Sequence, residues 1–336
     1  PNPQSPIPNP QSPFKYISLF LYIFKLYYIH KYHIIKIKMN YEFITLELMI
    51  AFVFFFALKT KTLTLDGAFA AVFVGTIISL CGFEYFVILA SFFFSSSKAT
   101  NIHKQIKTKL LGKAYIKEKK RNSIQVFSKS LFPSIICLIL YNKYGKGMYL
   151  FSSNNTLKIF LDSLFIGFFE SANADTWASE LGINSKENPI LILQGFRRVP
   201  KGINGAISAY GTLCSIQGGL FISGISIICN IIRFGCGNFI HGEKTNFIIS
   251  LKIFVLGGLI GFIGSFIDSI LGQTVQLSIY NVTKECMVEK EHEEEYKKNG
   301  DELKYYGKDI LNNSGVNLVT GLITATISGY LTTKII

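Results

Sequence analysis

About eight windows of mostly apolar residues, near 42–58, 66–82, 84–97, 124–141, 157–174, 204–231, 248–271 and 315–333, constrain this chain more than any motif does. A stretch of about 20 such residues spans the hydrocarbon core of a bilayer. Backbone groups in lipid find no water, so segments this apolar must be helical, and the Gly, Ala and Ser within them are the small residues that let helices approach. Charged residues are 16% of the chain, below the roughly 25% usual in soluble domains. The expected fold class is therefore all-α, a polytopic membrane bundle of about eight transmembrane helices.

Residues 39–336 read as a single integral membrane domain, and 1–38 as a separate extension. Those first residues repeat Pro-Asn-Pro-Gln-Ser-Pro, then run through Phe, Tyr, Ile, Leu and Lys with no acid. Two readings stand, a targeting segment or translation that starts at Met39. With alternating spans, the loop over 98–123 falls on one face with Lys186, Arg197, Arg198 and Lys201. The positive-inside rule makes that face cytoplasmic. Lysines before Met39 would fall on the opposite face, which favours the Met39 start. Residues 281–309 form a charged loop on the cytoplasmic face, expected as a solvated helix or flexible insert. The six cysteines show neither a CxxC pair nor zinc spacing and read as small packing residues.

Five polar motifs map to that same face: Ser95–Lys98, Ala174–Glu180, Lys201–Ser208, Gly264–Gln273 and Asn312–Asn317. Ionisable groups at membrane depth are costly, which makes Asp175 and Asp268 functional by default. Asp175, Glu180 and Asp268 are hard oxygen ligands suited to Mg2+, which takes one or two carboxylates together with water and substrate phosphates. Lys98, Arg197, Arg198 and Lys201 suit phosphate oxygens. Gly202 and Gly205 let backbone N–H groups approach an anion at a helix start. Each element also has a plainer reading: basic residues at span ends set topology, glycines pack helices, and Trp177 anchors at the interface.

These motifs, in order and at compatible spacing, resemble the transmembrane protein 19 family, to which plant and cyanobacterial phytyl-phosphate kinases belong. The matching residues are Ala174-Asp175-Thr176-Trp177-Ala178-Ser179-Glu180-Leu181-Gly182, Val199–Ser208, Gly264-Ser265 with Asp268-Ser269 and Leu271-Gly272, and Asn312-Asn313 with Val316-Asn317. A further motif resembles Arg121-Asn122 with Gln125-Val126-Phe127 and Pro133. It departs from the family pattern at Lys129, where an asparagine is expected, a change that bears on specificity or activity if that position touches substrate. The resemblance implies a nucleotide-dependent kinase that converts an isoprenyl monophosphate to the diphosphate. On that reading Asp175, Asp268 and Lys201 are catalytic, with Asp175 and Asp268 on the metal and Lys98 and Lys201 neutralising phosphates. Asn204 and Ser208 orient nucleotide or acceptor, and Thr176, Ser179, Asn313 and Asn317 complete the binding set.

The expected partners are a membrane lipid or prenyl phosphate, with a nucleoside triphosphate as co-substrate; no protein partner is inferable. Nucleic acid is not expected, since the +13 formal charge follows a topology pattern. A transporter or channel and a non-catalytic scaffold are the competing classes. The expected location is an endomembrane or plastid membrane.

Overall fold

The computed structural model describes residues 48, 50, 51, 53–57, 59, 60, 62–102, 120–145, 148, 150, 151, 155–234 and 244–336. The extension over 1–38 and most of the basic loop over 98–123 lie outside them. The protein is mostly helical. Its long helices are α1 (Leu65–Cys81), α2 (Phe83–Asn101), α3 (Ser123–Tyr144), α4 (Thr156–Gly182), α5 (Ala209–Phe234) and α6 (Lys244–Val275). After a short α7 (Glu293–Lys298) comes α8 (Asn313–Ile335).

Among the described residues, three helices are long and apolar enough to cross a membrane: α3, α5 over Ala209–Arg233 and α6 over Phe247–Val275. Helix α4 misses that standard because Lys158, Asp162, Glu170, Asp175 and Glu180 interrupt it.

The helices are ordered as lipid demands, with apolar residues on the outer faces and small or polar residues joining a Phe- and Ile-rich core inside. On α3, Leu131, Ile135, Leu138 and Ile139 are exposed while Ser130, Ser134 and Cys137 are buried. On α6, Leu251, Val255 and Leu259 face out while Ser250, Gly257, Gly261 and Gly264 are buried. Buried hydroxyls bond within their own helix, as when Ser134 Oγ donates to the Ser130 carbonyl at 2.8 Å and Thr324 Oγ1 to that of Thr320 at 2.7 Å.

Absent side chains set the helix spacing. A Cβ on Gly219 of α5 would lie 2.1 Å from the Gly257 carbonyl oxygen of α6, and one on Gly218 would lie 2.8 Å from Ala174 Cα of α4. Gly167 of α4 meets Ser328 of α8 in the same way.

Helix starts are capped by their own sequence. Asn122 and Gln125 form a reciprocal capping box on α3, Asn155 accepts from Leu157 and Lys158 N–H on α4, and Asn312 accepts from Gly315 N–H on α8. At the end of the bundle where α4 begins, Asp162 accepts from Tyr85 Oη at 2.6 Å, Lys158 Nζ at 2.7 Å and Phe151 N–H at 2.7 Å. Nearby, Glu84 accepts from Leu150 N–H at 2.8 Å and faces Arg233 at 3.5 Å.

The all-α expectation needs one amendment. Among the described residues, five short strands form two antiparallel sheets outside the helices. β1 (Ile190–Leu191) pairs with β2 (Arg197–Arg198), and β3 (Ser278–Asn281) lies between β4 (Cys286–Val288) and β5 (Leu303–Tyr306). The sheets share a small core in which Leu191, Val199 and Ile203 pack with Tyr280, Met287 and Tyr306. Residues 281–309 thus contribute the two outer strands of a three-stranded sheet and include a short exposed helix, so they are not a flexible insert. The expected packing role of the cysteines fits their state: Cys81, Cys137, Cys214 and Cys229 are buried free thiols, and Cys286 is a half-buried one.

The glycine contacts predict opposite outcomes on one helix. Gly219→Ala forces α5 and α6 apart and should cost about 1–3 kcal/mol. Gly224→Ala, whose Cβ would meet only Phe254 Cε2 at 3.5 Å, should be neutral or gain up to about 1 kcal/mol from helix propensity. Thermal midpoints in detergent check both, and a Gly219→Ala midpoint no lower than that of Gly224→Ala would refute the backbone-contact account.

Candidate functional site

The last turns of α4 and α6 and the first turns of α3, α5 and α8 enclose a cleft of 560 Å³ at one end of the bundle. Four of the five polar motifs reach it. Asp175, Thr176, Ser179 and Glu180 come from α4, and Lys201, Gly202, Asn204, Gly205 and Ser208 from the loop before α5. Asp268 comes from α6, and Asn313 and Asn317 from α8. Three helix starts thus open onto one space. Their dipoles favour an anion there, while side chains cap an N–H at each start.

Asp175 of α4 and Asp268 of α6 face the same cleft. Lys129 of α3 stands beside them, its Nζ 3.7 Å from Asp175 Oδ2 and donating to Thr176 Oγ1 at 3.2 Å. Asp268 Oδ2 accepts from Thr320 Oγ1 at 3.3 Å. Arg121 lines the cleft from the segment before α3, with Nη1 donating to Ser96 Oγ at 3.1 Å and Nη2 to Thr100 Oγ1 at 3.5 Å. Its backbone pairs with Thr62 and Thr64, which fastens the starts of α1 and α3 together. Asn173, one residue before the Ala174 motif, links three helices: Ser95 Oγ donates to its Oδ1 at 2.7 Å, and its Nδ2 donates to the Gly218 carbonyl at 2.8 Å.

Several residues read from the sequence as ligand contacts are engaged in holding the loops. Lys201 Nζ donates to the carbonyls of Ile183, at 2.9 Å, and Ser185, closing the C-terminal end of α4. Ser208 Oγ caps α5 by accepting from Gly211 N–H at 3.0 Å. Asn204 ties the loop to the segment after α6, its N–H donating to Ser278 Oγ at 3.0 Å and its Nδ2 to the Leu277 carbonyl at 3.2 Å. Gly205 adopts φ +73°, and a Cβ there would fall 2.3 Å from the Ser269 carbonyl oxygen. Gln273 of α6 clips both neighbouring loops, accepting from Leu193 N–H at 3.0 Å and donating to the Gly205 carbonyl at 2.8 Å. Asn317 Nδ2 bonds to the Asn313 carbonyl within α8 at 2.8 Å.

Lys98, Arg197 and Arg198 do not line the cleft. Lys98 is exposed on the last turn of α2, and Arg198, exposed on β2, pairs with Glu187 at 2.9 Å. Conversely, the cleft recruits Arg121, Gln125 and Lys129. Their signal in the sequence is the Arg121–Pro133 motif. Glu170, buried midway along α4 and accepting from Ser223 Oγ at 2.8 Å, was signalled only by its charge within an apolar run.

Among the described residues no group of three or more His, Cys, Asp or Glu could hold a metal ion, so Asp175, Glu180 and Asp268 do not form a three-carboxylate centre. The Asp175–Asp268 pair alone still fits Mg2+ that arrives with substrate phosphates, since that ion needs only one or two protein carboxylates.

Fold and cleft together define a helical integral membrane protein with a polar chamber at one end of its bundle. The chain belongs to the family described as Integral membrane protein DUF92, whose model matches residues 48–325, the family to which the sequence motifs pointed. Protein PGR of Arabidopsis thaliana is 32% identical over 269 residues, covering 80% of this chain and 88% of that protein. A membrane protein of Methanocaldococcus jannaschii is 27% identical over 215 residues, covering 64% and 75% respectively. One from Synechocystis is 25% identical over 217 residues, covering 64% and 73%. No solved structure matches the chain.

The loop contacts make Lys201 a structural prediction. Lys201→Met removes charged hydrogen bonds to two carbonyls and should lower stability by about 1–3 kcal/mol. Urea or thermal unfolding in detergent would check it, with an unchanged transition as the contrary result.

Proposed function

We propose that the protein is a multi-pass membrane phosphotransferase, a nucleotide-dependent kinase that converts an isoprenyl monophosphate to the diphosphate. The observation that carries this reading is the single cleft in which the Asp175–Asp268 pair, Lys129, Arg121 and three helix starts face one space. Phosphoryl transfer needs positioning and charge neutralisation more than a covalent nucleophile. In the reaction an oxygen of the prenyl monophosphate bonds to the γ-phosphorus, and the bond to the nucleoside diphosphate breaks. Asp175 and Asp268 would hold magnesium borne by the nucleotide, which supplies neutralisation of the phosphate charge. Arg121 and Lys129 would contact phosphate oxygens. The position of the cleft at the end of the bundle lets a prenyl chain come from lipid and a nucleotide from water, fixing both reactants by location. We place the cleft on the cytoplasmic side of an endomembrane or plastid membrane, with about eight spans in all, as the distribution of basic residues favours.

The test is formation of radiolabelled diphosphate from phytyl, farnesyl or geranylgeranyl monophosphate with CTP, ATP, GTP or UTP and magnesium. Membranes carrying the protein should form product, and Asp175→Asn should reduce its rate by about 10²–10³-fold with expression unchanged. Absence of product with every pairing, from correctly inserted protein, would turn the reading toward transport or scaffolding.

A further inference from the structure

The polar cleft has an apolar neighbour. A second cavity, of 70 Å³, lies between α1, α2, α3 and the stretch with Ile50, Val53 and Phe54, and is walled also by Gly75, Phe86 and Val126. Arg121, Gln125 and Lys129 line both spaces, so the two meet at a pair of cations and an amide. Water gains little in the smaller space, because most of its wall offers no hydrogen-bond partner.

Gly75 shows why the space exists. Glycines such as Gly219 and Gly264 are required where helices touch, since a Cβ would fall 2.1 Å and 2.2 Å from neighbouring atoms. A Cβ on Gly75 would meet Ile50 Cγ1 and Phe86 Cε2 at 3.8 Å, an ordinary contact. The glycine is therefore not needed for helix approach. Its missing side chain leaves a well-packed bundle with unfilled apolar volume, which forfeits dispersion contacts unless something occupies it.

We infer that this cavity seats the part of a single hydrocarbon chain nearest its anionic head, while the head lies in the cleft against Arg121 and Lys129. The inference rests on the lipid-phosphate reading of the cleft and adds where the chain enters. The volume admits roughly five water-sized probes, which matches the first branched unit of a prenyl chain rather than its full length. The remainder would run out of the cavity into lipid. One molecule carrying both parts explains why cations border an apolar groove.

Geranylgeranyl monophosphate with a photoreactive diazirine on the unit next to the phosphate tests this without nucleotide. Irradiation of the intact protein followed by peptide mass spectrometry should place the label on α1 or α2 residues of the groove; label on α5, α6 or α8 would overturn the inference. Gly75→Leu should weaken binding of geranylgeranyl monophosphate at least about tenfold while leaving inorganic pyrophosphate binding unchanged. Equal loss of both ligands, or of neither, from protein with a wild-type thermal midpoint would count against the groove. Labelling in the groove without turnover would sink the kinase reading alone, and turnover with label elsewhere would sink the groove alone.

Discussion

The site depends on how closely α4, α5 and α6 approach. Gly218 and Gly219 lie against Ala174, Gly257 and Gly261, and Gly264 against Ser171, with backbone or Cα atoms where side chains would otherwise stand. In lipid there is little hydrophobic drive for helix association, so contact of this kind and hydrogen bonds between helices must hold the bundle. The bond from Asn173 to the Gly218 carbonyl and that from Ser223 to Glu170 run through the same crossings. Because the three helices meet so tightly below, Asp175 and Asp268 line one cleft above.

Charge in the cleft is balanced locally. Lys129 and Arg121 face the acids Asp175, Glu180 and Asp268 across a space bordered by helix starts, so neither sign is left unopposed in a partly dry setting. Lys129 places its amine 3.7 Å from Asp175, at the edge of the carboxylate pair.

Much of the helical plan was legible because lipid demands long apolar runs, and seven of the anticipated windows coincide with long helices. Boundaries were less so. The window expected from residue 204 begins as helix at Ala209, because Gly205 takes a left-handed turn and Ser208 caps the start. Helix α4 continues to Gly182, well beyond its apolar part, because its charged end is held by neighbours rather than by lipid. The strands over 278–306 were hidden by a run of Glu and Lys that dominates the composition there. In the site, Asp175 and Asp268 stood out by the cost of burying charge. The same residue types at Lys201, Asn204 and Ser208 could serve a ligand or the backbone, and only geometry distinguishes the two.

Helix α4 is fastened near both ends. Asp162 is gripped by Tyr85 of α2 and by Phe151 N–H, and Asn173 by Ser95 and Gly218. A rod pinned twice can neither slide like a piston nor turn about its axis without breaking buried polar bonds at one pin or the other. It is a stationary pillar, and any opening of the chamber must come from the parts that lean on it.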